Sequence, residues 1–123
     1  MFYAKDNSGQ KRPAVPFKKI YLDILKDQYE LSLVFVDSKF SKSLNSRYRK
    51  KNKPTNVLSF PLSKDSGEIF LDLELIRKEA KEQERKFPEY LAYIFIHGLL
   101  HLKGYGHGSR MEKEENKILA KFF

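Results

Sequence analysis

The sequence holds no cysteine and no tryptophan, only three histidines, and 16 acids against 24 lysines and arginines. With no cysteine there is no disulfide staple and no thiolate ligand, so a metal site has to be built from histidine and carboxylate, and the cytoplasm is the expected compartment. The shortage of acid leaves a formal charge of +8 and a pI near 9.6. That balance favours encounters with polyanions such as nucleic acid or anionic lipid without choosing between them. No apolar run approaches the roughly 20 residues that a bilayer requires. The longest stretch free of charge is Tyr90 to Leu102, and the opening MFYAKDNSGQKRP lacks the apolar core of a signal peptide. A soluble protein with no membrane association is expected.

What is present suits a packed fold. At 123 residues, 41% apolar and 14% aromatic, the chain is expected to form a single domain over residues 1–123, with room for one core and one active site. After a polar start, Val15 to Tyr29 reads as a helix through Phe17, Ile20, Leu22, Ile24 and Leu25. ELSLVFVD then alternates as a strand through Leu31, Leu33 and Phe35. Residues 38–53 carry seven lysines and arginines and no acid, with Phe40, Leu44 and Tyr48 at four-residue spacing. This is a basic amphipathic helix running into a basic loop, and its apolar periodicity predicts core positions for the three. TNVLSFPL and GEIFLDL are two further strands.

A helix then runs to about Lys86, with Ile76, Ala80 and Phe87 facing inward, and Pro88 opens the next. Because Tyr90 to Leu102 carries no charge, this helix is expected at the centre of the molecule, ended by Gly104. Ser109 with Glu112 three residues later is a capping-box pattern for a last helix through Met111, Ile118, Leu119 and Phe122. The expected class is therefore α+β: a small mixed sheet of about four strands packed with about five helices, the histidine-bearing helix central.

All three histidines fall within HGLLHLKGYGH, residues 97–107. His97 and His101 are four apart on the predicted central helix, on one face and a turn apart, so both rings can reach one ion. Gly104 can turn the chain back, and His107 follows three residues later, giving HxxxHxxGxxH. Three neutral imidazoles with a fourth position left to water describe an open, catalytic type of zinc site with one ion. The bland alternative makes His97 and His101 core residues and His107 a loop residue. Metzincin proteases share the spacing, but they carry a glutamate directly after the first histidine as general base, and that position here is Gly98. The glycine also costs about 1 kcal/mol of helix propensity against alanine, so close approach of another backbone is one reason for its presence.

Three blocks together, LNSRYRKKNKPTNVLSFPL at 44–62, GEIFLDL at 67–73 and HGLLHLKGYGHG at 97–108, closely resemble the YbeY family of bacterial rRNA maturation factors. The resemblance implies a metal-dependent single-strand endoribonuclease acting in rRNA maturation, at the 3′ end of small-subunit rRNA, and in ribosome quality control. It implies that His97, His101 and His107 bind the metal, usually zinc, and that Arg49 in the YR pair is the functional arginine across the site. One departure stands out: the family usually has aspartate before its third histidine, where this chain has Gly106. The family's N-terminal strand is also short or degraded here.

Zinc held by three histidines lowers the pKa of a bound water to about 7 and acts as a Lewis acid on a phosphoryl oxygen. Arg49 is the candidate for holding the charge that gathers on phosphorus, and with His97 it makes up the expected catalytic pair. Lys39, Lys42, Arg47, Arg49, Lys50, Lys51 and Lys53 are expected to track an RNA backbone, while Tyr48 or Phe40, if exposed, would stack a base. Thr55, Asn56 and Ser59 offer hydrogen-bonding groups nearby; their simpler role is to shape the turn and strand. Two other readings compete. In one, a non-catalytic ribosome-assembly factor uses the basic surface to bind RNA or a small-subunit ribosomal protein, and the metal only stabilises the fold. In the other, the protein is a metallohydrolase of amides, peptides or small phosphoesters.

Overall fold

The computed structural model describes residues 1–123, in the order β1 (Phe2–Asp6), α1 (Phe17–Ile24), β2 (Glu30–Val36), α2 (Ser38–Arg49), β3 (Val57–Ser63), β4 (Ser66–Asp72), α3 (Leu73–Glu82), α4 (Phe87–Leu102) and α5 (Ser109–Phe122). Four strands and five helices make the α+β architecture expected from the sequence. The sheet runs β1-β2-β4-β3, with β2 parallel to both of its neighbours and β3 antiparallel to β4. No helix is long and apolar enough to cross a membrane.

Strand alternation divides the sheet into two unequal faces. Leu31, Leu33 and Phe35 of β2 and Ile69 and Leu71 of β4 are fully buried in the main core with α1 and α4. Phe17 joins these layers, its ring edge-on to Phe35 at 5.3 Å and to Phe95 at 5.1 Å. α4, free of charge after Glu89, lies at the centre, with nine buried residues between Tyr90 and Leu100. Gly98 seats it against the sheet: a Cβ there would meet Ser59 Oγ at 3.0 Å, Val57 Cγ2 at 3.1 Å and Ile69 Cδ1 at 3.2 Å. Side chains, rather than the backbone expected from the sequence, make the close approach.

The opposite face is covered by α2, whose orientation is set by a buried carboxylate. Asp72, 0% exposed, accepts from Leu75 N–H at 2.9 Å, capping α3, and from the hydroxyls of Ser41 at 2.7 Å and Ser38 at 3.1 Å. Ser38, Ser41, Asn45 and Arg49 follow one another at helical spacing, so fixing the first turn of α2 directs the row that ends in Arg49. Asn45 donates to the Lys53 carbonyl at 2.9 Å, holding the basic loop, and Lys50 in the left-handed region (φ +56°) ends the helix.

Several sequence expectations are corrected. The first helix covers only Phe17–Ile24: Pro16 caps its start, and Lys26 at φ +71° breaks the backbone before Tyr29. The helix expected to reach Lys86 stops at Glu82, with Glu84 at φ +55°. Phe2–Asp6, within the polar start, is the short N-terminal strand that the resemblance implied, at the sheet edge, and Phe2 packs on Tyr21 at 5.2 Å. The capping box does not form: Gly108 is the N-cap of α5, and Ser109 already lies inside the helix. Phe40 and Tyr48 are not core residues, being 47% and 59% exposed. Their row meets Phe70 and Phe60 on the second face, where only one helix covers the sheet.

Candidate metal centre

α4 ends in a turn that brings the third histidine back. Gly104, at φ +105°, donates its N–H to His101 O at 3.0 Å, and Tyr105 N–H reaches Leu100 O at 3.0 Å, the paired bonds of a Schellman motif. The chain beyond returns over the helix end, and the potential ligand nitrogens of His97, His101 and His107 all lie within 4.8 Å of one another. The first two rings are half-buried and the third is exposed, leaving the cluster open on one side.

The hydrogen bonds behind the rings decide which nitrogens face the opening. His97 Nδ1 lies 2.9 Å from Glu115 Oε2, and His101 Nδ1 lies 3.1 Å from the Tyr105 carbonyl. A carboxylate and a carbonyl only accept, so both Nδ1 atoms carry the hydrogen and both Nε2 atoms present lone pairs. Those two Nε2 atoms are 3.0 Å apart. Two bare lone pairs at that distance repel, whereas two nitrogens bound tetrahedrally to one zinc at about 2.0–2.1 Å sit about 3.3 Å apart. The donor set therefore fits a single divalent cation. Burial, and then the neighbouring His97, push the His101 pKa below 6.5, which keeps that ring neutral near pH 7.

Across the opening, Arg49, Thr55, Asn56, Val57 and Ser59 complete a cavity of about 360 Å³ with the three histidines. Arg49 is the only permanently charged side chain in its lining, and no acid lines it. Three of the other polar groups are already engaged. Ser59 donates to Gly98 O at 3.0 Å, Thr55 to Val57 O at 3.2 Å, and Asn56 through Nδ2 to Glu79 Oε1 at 2.9 Å. Glu79 also accepts from Tyr90 at 3.0 Å; burial first, then the Glu79 charge, raises the Tyr90 phenol to about 12. These bonds give the three residues the shaping role that the sequence reading kept for them.

The basic residues divide between surfaces. Lys51 and Lys53 share with Arg49 a groove that adjoins the cavity through Thr55 and Asn56. Lys39, Lys42 and Arg47 line another stretch of α2, and Lys50 is exposed at the helix end. Gly106 is exposed, with open space where a side chain would stand. Sequence reasoning missed Glu115, only 4% exposed. Its signal was a lone acid on the Met111–Ile118–Phe122 stripe of α5, a position where burial without a partner is costly.

The mixed sheet, the central helix and three imidazoles gathered at one opening define a candidate metalloprotein of the α+β class, with a single arginine in the same cavity lining. The chain belongs to the family described as Endoribonuclease YbeY, whose model matches residues 10–122. It is 40% identical over 109 residues to Endoribonuclease YbeY of Sinorhizobium fredii, an alignment covering 77% of this chain and 63% of the relative. The Neorickettsia sennetsu protein of the same name is 42% identical over 103 residues, covering 75% and 72% of the two chains. The solution structure of TM1509 from Thermotoga maritima superposes with a TM-score of 0.71 at 25% identity, covering 99% of this chain and 89% of that one. The chain spans about 63% of the length of the Sinorhizobium fredii protein and of two further relatives of the same name.

Proposed function

We propose that residues 1–123 act as one zinc-dependent endoribonuclease unit that cleaves single-stranded RNA in the cytoplasm, in maturation of the small-subunit rRNA 3′ end and in ribosome quality control. The observation that carries the reading is the pairing of two inward Nε2 lone pairs with a cavity whose only permanent charge is Arg49. A cavity with one cation and no acid suits an anionic substrate. It lacks the glutamate base of the metzincin peptidases: that position is Gly98, and Glu115 is bonded behind His97.

His97, His101 and His107 hold the ion. When bound, zinc supplies Lewis-acid polarisation and an acidified water. Arg49, charged at every relevant pH, takes phosphoryl oxygens in its planar fork and stabilises the negative charge that develops on them. Lys51 and Lys53 hold the adjoining phosphates, and Asn56, fixed through Nδ2 by Glu79, keeps its amide oxygen free to accept from a ribose hydroxyl.

Cleavage of a labelled single-stranded RNA, with and without chelator, tests the reading beside elemental analysis of the purified protein. The expected result is one zinc per chain, turnover lost on chelation, and no cleavage by folded His97→Ala or Arg49→Ala. Wild-type rates in either variant, from a nuclease-free preparation, overturn it. Metal-independent RNA binding with no turnover would favour a non-catalytic assembly factor.

A further inference from the structure

Tyr48 and Arg49 are consecutive on α2, and Ser59 and Phe60 are consecutive on β3. Arg49 and Ser59 line the metal cavity; Tyr48 and Phe60, on the other side of the same two elements, line a separate apolar groove of about 270 Å³ with Leu44, Leu62 and Phe70. Its rings form a ladder: Tyr48 is edge-on to Phe60 at 5.1 Å, Phe60 to Phe70 at 5.8 Å, and Phe70 faces Phe40 at 6.1 Å. Tyr48 is 59% exposed, Phe40 47% and Leu62 62%, three of the six large apolar side chains that the molecule leaves in solvent.

We propose that this groove is a stacking subsite for one unpaired base of a strand whose backbone runs to the metal cavity. The inference rests on the RNA reading above and names where that RNA is gripped. Charge selects the occupant. The helix that supplies Tyr48 carries Lys39, Lys42, Arg47 and Arg49, with Lys50 and Lys51 directly after it and no acid anywhere in residues 38–53. An apolar slot walled by a helix whose only charges are cations matches a base attached to a phosphate chain, and every base offers a π-face to an exposed ring. Glu68, the one charged residue in the lining, sits on β4 opposite Phe60. Its carboxylate repels a phosphate from the groove itself and can accept from a base amino group.

The test measures affinity of the zinc-loaded protein for a single-stranded RNA of about ten nucleotides, a length within the usual single-strand site range. Tyr48→Ala is an exposed change, and Tyr48→Phe keeps the ring. Stacking predicts roughly tenfold weaker binding for Tyr48→Ala, near-wild-type binding for Tyr48→Phe, and an unchanged salt dependence, since no phosphate contact is lost. In a set of strands with one abasic site moved along the chain, one position costs the wild-type protein the same factor and costs Tyr48→Ala nothing further. Equal affinities of Tyr48→Ala and wild type overturn the subsite while leaving the RNA reading intact, and would assign the ladder to a protein partner. No RNA binding by the wild-type protein removes both.

Discussion

Glu115 Oε2 lies 2.9 Å from His97 Nδ1, so a carboxylate that is 4% exposed on α5 holds a histidine on α4 with its other nitrogen turned into the cavity. This positioning predicts that metal affinity depends on a residue that never touches the metal. Glu115→Gln, which keeps an acceptor but loses the charge, should weaken zinc binding about tenfold, and Glu115→Ala more. Competition against a chromophoric chelator reads this directly. Unchanged affinity in both variants would make the contact merely structural.

The pKa of His101, lowered below 6.5 chiefly by burial and then by His97, sets a pH dependence for the metal-free protein. Between the folded value and 6.5 the unfolded chain binds the proton that the folded chain refuses. Stability therefore rises with pH through that window and falls as pH drops through it. Urea midpoints of the apo protein should decline from pH 6.5 downward, and less steeply in His101→Asn. A midpoint flat with pH down to 5 in the wild-type protein would contradict the burial argument.

Gly98→Ala sets two effects against each other. Alanine gains about 1 kcal/mol in helix propensity, yet its Cβ would lie 3.0 Å from Ser59 Oγ and 3.1 Å from Val57 Cγ2. Overpacking at such distances costs about 1–3 kcal/mol. The expected balance is a lower melting temperature, with α4 displaced from β3. A stabilised variant would mean that β3 yields freely.

Gly106→Asp is expected to be accommodated, because nothing lies within 4 Å of the added Cβ and the residue is exposed. A carboxylate beside His107 should tighten zinc binding, by up to about tenfold. The same chelator competition checks it, and equal affinities would show that this chain's centre gains nothing from an acid there.

Asp72→Asn should destabilise the protein by about 1–3 kcal/mol, since Asp72 accepts three hydrogen bonds in a fully buried position. Because two of those bonds orient α2, the variant should also bind RNA less well through a misplaced Arg49. Denaturant unfolding and RNA titration together measure this. Full stability would show that Ser38 and Ser41 need no charged partner.

Local chemistry made much of the site legible. Four-residue spacing on the uncharged stretch of a helix is enough to pair His97 with His101, and a glycine free to take φ +105° is enough to return His107. The polar N-terminal residues hid a strand because β1 is an edge strand whose side chains are mostly exposed. The serine of the expected capping box gave way to Gly108, whose φ of +148° starts α5 one residue earlier than the pattern implied.

Helical and strand periods thus carry the element types, the buried central helix and the order of three ligands, because each depends on neighbours within a turn or two of chain. The partner of each functional group depends on contacts between distant segments. Glu115 reaches His97 across 18 positions, and Asp72 aligns α2 from 31 and 34 positions away. The row of Phe40, Leu44 and Tyr48 has the spacing of a core, but spacing cannot say which layers exist to bury it. Only the sheet order, with one helix over its second face, leaves the rings of Phe40 and Tyr48 open to solvent.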